Sequence, residues 1–226
     1  MELTGTAAWR PQGFGKRNAK RIADPVIEPL WSGLRLLAVA RRGDVELRAG
    51  DGDAQRRPAI VDGLRVALQA ESAVLDGYLT TEAARSGVGV YAGAGPGAPT
   101  PAEMARQMVL GGARNRRSEL VDSLEARAEV RAVPDEGVVF VAVDLLLLDD
   151  ESLLDVPLLE RKRLLDGVVV PSDLVRVGIH VRVPVDPWLG TWRSLGFRQL
   201  AYKDANGRYR PGEINDGWAT ADIPHR

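Results

Sequence analysis

One run constrains this chain more than any other feature. From Val138 to Leu148 every residue is Val, Phe, Ala or Leu except Asp144. A transmembrane helix needs about 20 apolar residues, so this run is too short to cross a bilayer. Its valine content and length read, with Gly137 in front, as a central strand over Gly137–Leu148, covered by other layers on both faces. At 226 residues the chain can bury a sizeable core as one large domain or two small ones. Aromatic residues make up only 5%, so that core must be built from Val, Leu, Ile and Ala.

The remaining pattern places shorter elements around the run. Leu34 to Leu47 is a hairpin turning at Arg42-Gly43-Asp44. Pro58 opens a helix whose one face carries Ile60, Val61, Leu64, Ala67 and Leu68. Ala73 to Leu79 is a short buried strand with Asp76 near its end, where a carboxylate often faces a cleft. Pro157 to Leu165 is a helix with Leu158, Leu159, Leu164 and Leu165 apolar and Arg161, Lys162 and Arg163 polar. Val175 to Val183 alternates as a strand, and its polar face puts His180 on the surface beside Arg176 and Arg182. Asp186-Pro187 caps a helix with Trp188 and Trp192 that closes at Gly196, and Phe197 to Lys203 is the last strand. Strands interspersed with helices, without regular βαβ alternation, make an α+β fold.

Composition excludes several chemistries. The chain has no cysteine, so it can form no disulfide, thiolate metal site or thiol nucleophile. Only His180 and His225 supply imidazole, which excludes a multi-histidine metal centre. Thirty Lys+Arg against 31 Asp+Glu leave a net charge of −1, so any attraction to polyanions must be local. Residues 1–24 form a basic N-terminal arm with Arg10, Lys16, Arg17, Lys20 and Arg21 alongside Trp9 and Phe14, read as a solvated tail or lead-in that can also meet nucleic acid. A second basic group, Arg114, Arg116 and Arg117, forms a loop before a helix over Ser118–Ala128. Gly87 to Pro101 is a loop whose Gly-Ala-Gly-Pro-Gly lacks the lysine of a phosphate-binding loop, and a capping box at Thr100–Glu103 starts another helix. No apolar leader precedes these segments, so a cytoplasmic protein is expected.

Read in order, six segments between residues 28 and 212 resemble the nucleotidyltransferase (adenylation) domain of ATP-dependent DNA ligases. Glu28-Pro29-Leu30-Trp31-Ser32-Gly33-Leu34-Arg35 stands where the family has E-P-K-W-D-G-x-R. Arg48 falls at the next nucleotide-proximal arginine. Ala73–Leu79 is similar to V-L-D-G-E-L, and Phe140–Leu146 to F-x-x-F-D-L-L. Leu153–Lys162 matches L-L-x-x-P-L-x-E-R. Ala201-Tyr202-Lys203, then Tyr209-Arg210-Pro211-Gly212 and Trp218, track the closing motifs. The resemblance implies a DNA ligase-like (ATP-grasp-like) domain over residues 25–226, with antiparallel sheets flanked by helices. It implies ATP and Mg2+ as cofactors if nucleotide binding is retained. The OB-fold domain that follows in ligases is not expected here.

The departures are concentrated in the chemistry. The family's lysine attacks the α-phosphate of ATP and carries AMP. Leu30 occupies that position, and a leucine has no lone pair to attack with. Ser32 replaces the neighbouring aspartate, Tyr78 the metal-side glutamate, and Val143 the adenine-stacking aromatic; Arg198-Gln199 replaces an E-G pair. Thr220 and Asp222 replace two triphosphate lysines. Arg35, Arg48, Asp76, Asp144, Lys203 and Arg210 remain as residues of the former nucleotide cleft, with Asp76 and Asp144 as carboxylates able to hold magnesium. The resemblance therefore points to a ligase-like protein without self-adenylation that binds a nucleotide, DNA or RNA, or a protein partner. Two alternatives stay open: a repurposed magnesium-dependent enzyme, and residual transferase activity through a displaced lysine such as Lys16 or Lys20.

Overall fold

Residues 8–50, 55–81 and 137–224 are described by the computed structural model. The apolar run forms β6 (Val139–Leu148), buried along its length except at Leu148. It lies inside the larger sheet, ordered β4-β3-β5-β6-β7, where β3 is Leu34–Arg41, β4 Asp44–Ala49, β5 Ser72–Thr80 and β7 Glu151–Ser152. These neighbours are antiparallel, while β8 (Val175–Val177) pairs with β6 in parallel. The β5–β6 ladder is irregular twice, between Val74 and Leu75 and between Asp76 and Gly77. The two bulges bracket Asp76 and Asp144, which stand directly opposite each other. Bulges re-aim side chains and increase local twist, and they recur beside functional sites.

Two helices cover one face of this sheet. Helix α1 (Pro58–Ala67) begins at proline, whose fixed φ suits the first helical turn, and buries Ile60, Leu64 and Ala67 at helical spacing. Helix α2 (Leu158–Val168) adds Leu165 to the same core, which also holds Leu36, Leu75, Leu79, Phe140 and Leu145. Each fully buried leucine of this kind contributes about 1.5–3 kcal/mol. Facing the other side is a smaller antiparallel sheet ordered β11-β9-β2, from β11 (Trp218–Asp222), β9 (Gln199–Asp204) and β2 (Pro25–Pro29). Helix α3 (Asp186–Ser194) packs Trp192 beside it, with Trp31, Phe197 and Leu200. The result is a mixed sheet-and-helix architecture, and no helix among the described residues is long and apolar enough to span a membrane.

The N-terminal segment is packed onto this body. β1 (Gly13–Phe14) pairs with β10 (Ile214–Asn215), Gln12 is fully buried, and a short 3-10 turn (Ala19–Arg21) sets Ala19 and then Ile22 against Ala219. The basic side chains of Lys16, Arg17, Lys20 and Arg21 stay exposed.

Several sequence expectations are corrected. The alternating stretch ends as a strand at Val177; beyond it, Val181 makes an isolated bridge to Ile27 of the smaller sheet. Alternation marks an extended chain without saying which sheet each residue joins. The strand expected last is followed by β10 and β11. Asp186 lies inside the first turn of α3, with Val185 at the cap. Asp76 and Asp144 are mid-strand rather than near strand ends. The loop at Gly87–Pro101, the helix from Thr100, the Arg114, Arg116 and Arg117 loop, the Ser118–Ala128 helix and His225 lie outside the described residues.

Two glycines test this packing in opposite directions. A Cβ on Gly77 would sit 2.6 Å from the Val141 carbonyl oxygen and inside contact distance of the Phe140 ring. Gly167, in the last turn of α2, has nothing within 4 Å of that position. Gly77→Ala is expected to destabilise by about 1–3 kcal/mol or more, and Gly167→Ala to stabilise by about 0.5–1 kcal/mol. Urea unfolding of the two variants beside the wild type checks both signs.

Candidate functional site

The two sheets face each other across a layer of buried charge. Asp76 and Asp144 both have zero exposure and occupy paired positions on β5 and β6. Like charges directly opposite on neighbouring strands repel, so each must be answered locally. Arg35 of β3 grips Asp76 with Nε and Nη2 at 2.9 and 2.5 Å, and gives Nη1 to the Gln12 carbonyl at 2.6 Å. Tyr209 donates its hydroxyl to the same aspartate at 2.7 Å and accepts the Gln12 N–H at 2.8 Å. Arg161 of α2 grips Asp144 with Nε and Nη2, both at 2.8 Å. The Leu145 N–H adds a third donor at 2.9 Å. Both guanidinium pairs are bidentate, the geometry in which arginine binds a carboxylate most strongly. Aromatic rings close around Arg35: Phe14, Tyr78 and Trp218 have centroids 5.7, 5.8 and 5.4 Å from its guanidinium carbon.

A second cluster adjoins the first. Glu28 of β2, 2% exposed, holds Lys162 Nζ at 2.6 Å through one oxygen and Lys203 Nζ at 2.9 Å through the other. Lys162 also donates to the Val143 carbonyl at 2.5 Å, and Lys203 lies 4.3 Å from the centre of the Trp218 ring. Burial alone would raise the Glu28 carboxyl, but the two ammonium groups outweigh it and hold it down to about 2. Burial lowers Lys203, with Glu28 opposing that shift.

Strand register shows how this layer opens. Glu28, Ala201 and Thr220 form one row across the smaller sheet, and the Ile27–Val181 bridge puts His180 opposite Glu28 on the same face. Leu30 is two residues beyond Glu28, so it shares that face; its N–H donates to the Gln199 carbonyl at 2.9 Å. Gln199 in turn donates to Asp222 at 2.9 Å. Leu30 is half-buried and Thr220 exposed, so this end of the layer is its outer edge.

Of the residues singled out by sequence, Arg35, Asp76, Asp144 and Lys203 meet in this layer. Arg48 sits on β4 and pairs with Glu46 at 2.6 Å. Arg210 is exposed 3.9 Å from Glu213, with its backbone N–H on the Gln12 side chain. Val143 and Tyr78 are buried in the apolar cluster around Trp31. Sequence reading missed Glu28, Arg161, Lys162, Tyr209 and His180 as members of the layer. One signal was present: Leu158, Arg161, Lys162 and Leu165 fall on the i, i+3, i+4, i+7 stripe that a helix buries, and all four are buried.

Solved structures share this fold. The ligase domain of LigD from M. tuberculosis superposes with a TM-score of 0.58 and 23% identity, covering 96% of this chain. This is the fold of a DNA ligase domain. A mycobacterial DNA ligase D complexed with ATP and MES matches at TM-score 0.55 and 23% identity over 94% of this chain. A Lig E DNA ligase, described as binding DNA with a minimal scaffold, matches at TM-score 0.52 and 14% identity, also over 94%. The present chain spans 60% and 59% of the two ligase D chains and 68% of the Lig E chain. At these identities the likeness is one of fold. No protein-family model matches the sequence, and no curated protein is significantly similar to it.

Within this ligase fold, the two clusters make distinct predictions. Arg161→Met leaves Asp144 buried without its cation and is expected to cost about 3–5 kcal/mol in chemical unfolding. Glu28 has a folded-state value below its ordinary 4.5, so its contribution is present above pH 4.5 and is lost as pH falls toward 2. That contribution is roughly 3 kcal/mol. Unfolding curves between pH 6 and pH 3 should show the loss in the wild type and a flatter profile in Glu28→Gln.

Proposed function

We propose that this ligase-fold protein does not adenylate itself and works by non-covalent binding, with nucleic acid as its partner. One observation carries the reading. Leu30 stands at the position matching the family's nucleophile, on the open end of the face that carries Glu28. An aliphatic side chain there can form no phosphoramide with AMP. The surrounding groups support it. Both oxygens of Asp76 and of Asp144 are already held by guanidinium groups, so these carboxylates do not fit a magnesium site. Lys203 and Lys162 share Glu28, and the outer row offers Thr220, Gln199 and Asp222 where a triphosphate would need cations.

Incubation with ATP and magnesium, followed by intact-mass measurement, is expected to show only the unmodified chain. An added adenylyl mass would overturn the reading. Leu30→Lys alone should also fail to seal nicked DNA. Its ammonium would join Lys162 and Lys203 around one carboxylate, and electrostatic stabilisation of the departing pyrophosphate would still be missing.

Binding is assigned to the N-terminal segment. Lys16, Arg17, Lys20 and Arg21 are exposed on a segment whose backbone is fixed against β10 and β11, so four cations are held on the surface of a chain of net charge −1. Phosphate contacts of this kind ignore sequence and weaken steeply with salt. Deleting the segment would remove Gln12 and Phe14 from the body, so charge replacement is the cleaner test. With Lys16, Arg17, Lys20 and Arg21 all changed to Gln, fluorescence anisotropy on duplex DNA at low salt should lose most of the wild-type binding. Equal binding by the two proteins would move the interface elsewhere.

A further inference from the structure

The segment from Gly178 to Arg182 leaves one sheet and joins the other. At its start, the Gly178 N–H donates to the Ala142 carbonyl of β6 at 2.7 Å. At its end, Val181 and Ile27 exchange both backbone hydrogen bonds, at 2.8 and 2.9 Å, and Arg182 forms an ion pair with Asp24. Among the described residues the outer edge of β2 is thus held by one isolated bridge, one surface pair and the packing of half-buried Ile179 and Val181 against the cluster around Ile27 and Trp31, without the continuous ladders of the two sheets.

His180 lies between these anchors. The Ile27–Val181 bridge sets it opposite Glu28 on the same face, and Glu28 is the carboxylate that Lys162 on α2 and Lys203 on β9 both hold. Two ammonium groups already share the one carboxylate there. A neutral imidazole fits this company, and a third cation does not. Burial first, and the two lysines next, lower His180 from 6.5 to about 4, against the pull of Glu28.

We propose that the Gly178–Arg182 segment is an acid-released latch between the two sheets, in which a charged His180 leaves its seat opposite the lysine-paired Glu28 and takes Val181 off Ile27. Release uncovers the edge of β2 that carries Glu28 and Leu30. The device does not depend on what the protein binds.

The sign follows from the direction of the shift. The closed latch holds His180 below its free value, so opening takes up a proton and is favoured as pH falls below 6.5. Between pH 7 and pH 5 the opening constant should rise roughly 20-fold, with Glu28 still ionised throughout. Hydrogen exchange on the full chain, corrected for the pH dependence of the chemical rate, reads this directly. The Ile27 and Val181 amides should exchange roughly 20-fold faster at pH 5 in the wild type, while amides inside β6 do not change. In His180→Asn the acceleration should disappear; His180→Phe provides a second uncharged variant should the first fold poorly. Equal acceleration in these variants, no acceleration in the wild type, or a uniform increase over all strands would each overturn the proposal.

Discussion

Two aspartates face each other across the middle of a buried antiparallel ladder, and most of the tertiary structure answers to that arrangement. Asp76 and Asp144 are fully buried directly opposite each other, and a buried carboxylate is costly unless it is paired, so each calls for a cation. Their partners come from different parts of the chain. Arg35 arrives from the neighbouring strand, Arg161 from a helix in the following segment, and Tyr209 and the backbone of Gln12 complete the set from near the two ends. A misplaced helix or N-terminal segment would strand a buried charge. The layer therefore acts on the arrangement of the fold, although buried ion pairs often add little net stability over apolar residues of similar size.

The polar groups of this layer are turned toward each other: carboxylates to guanidinium groups, two lysines to Glu28, and the Gln199 amide to Asp222. Leu30 is half-buried at the outer edge of this layer. Lys16, Arg17, Lys20 and Arg21, in contrast, are exposed on the N-terminal segment.

Much of the fold was legible because periodicity is a local property. The apolar stripe of α1, the hairpin turning at Arg42–Asp44 and β6, buried up to Leu147, each follow from spacing within their own residues. The candidate site was legible in part. Arg35, Asp76, Asp144 and Lys203 stood out through resemblance, but their partners did not. Arg161 and Lys162 look like solvent-facing residues of a helix until the carboxylates that neutralise them are brought to the same stripe. His180 looks like a surface strand residue because alternation counts faces without knowing that Val181 changes sheets.

By itself, the sequence determined the elements, the apolar material of the core and the aliphatic side chain at residue 30, since each depends on side-chain identity or short-range spacing. The tertiary structure alone decided which charges are paired and which remain exposed. Asp76 and Asp144 are 68 residues apart and become neighbours only through the β5–β6 register with its two bulges. Glu28 meets Lys203 only because β2 pairs with β9. Whether an ionisable side chain serves as a ligand, a base or an internal strut depends on the groups within a few ångströms of it, and those distances are set by long-range packing.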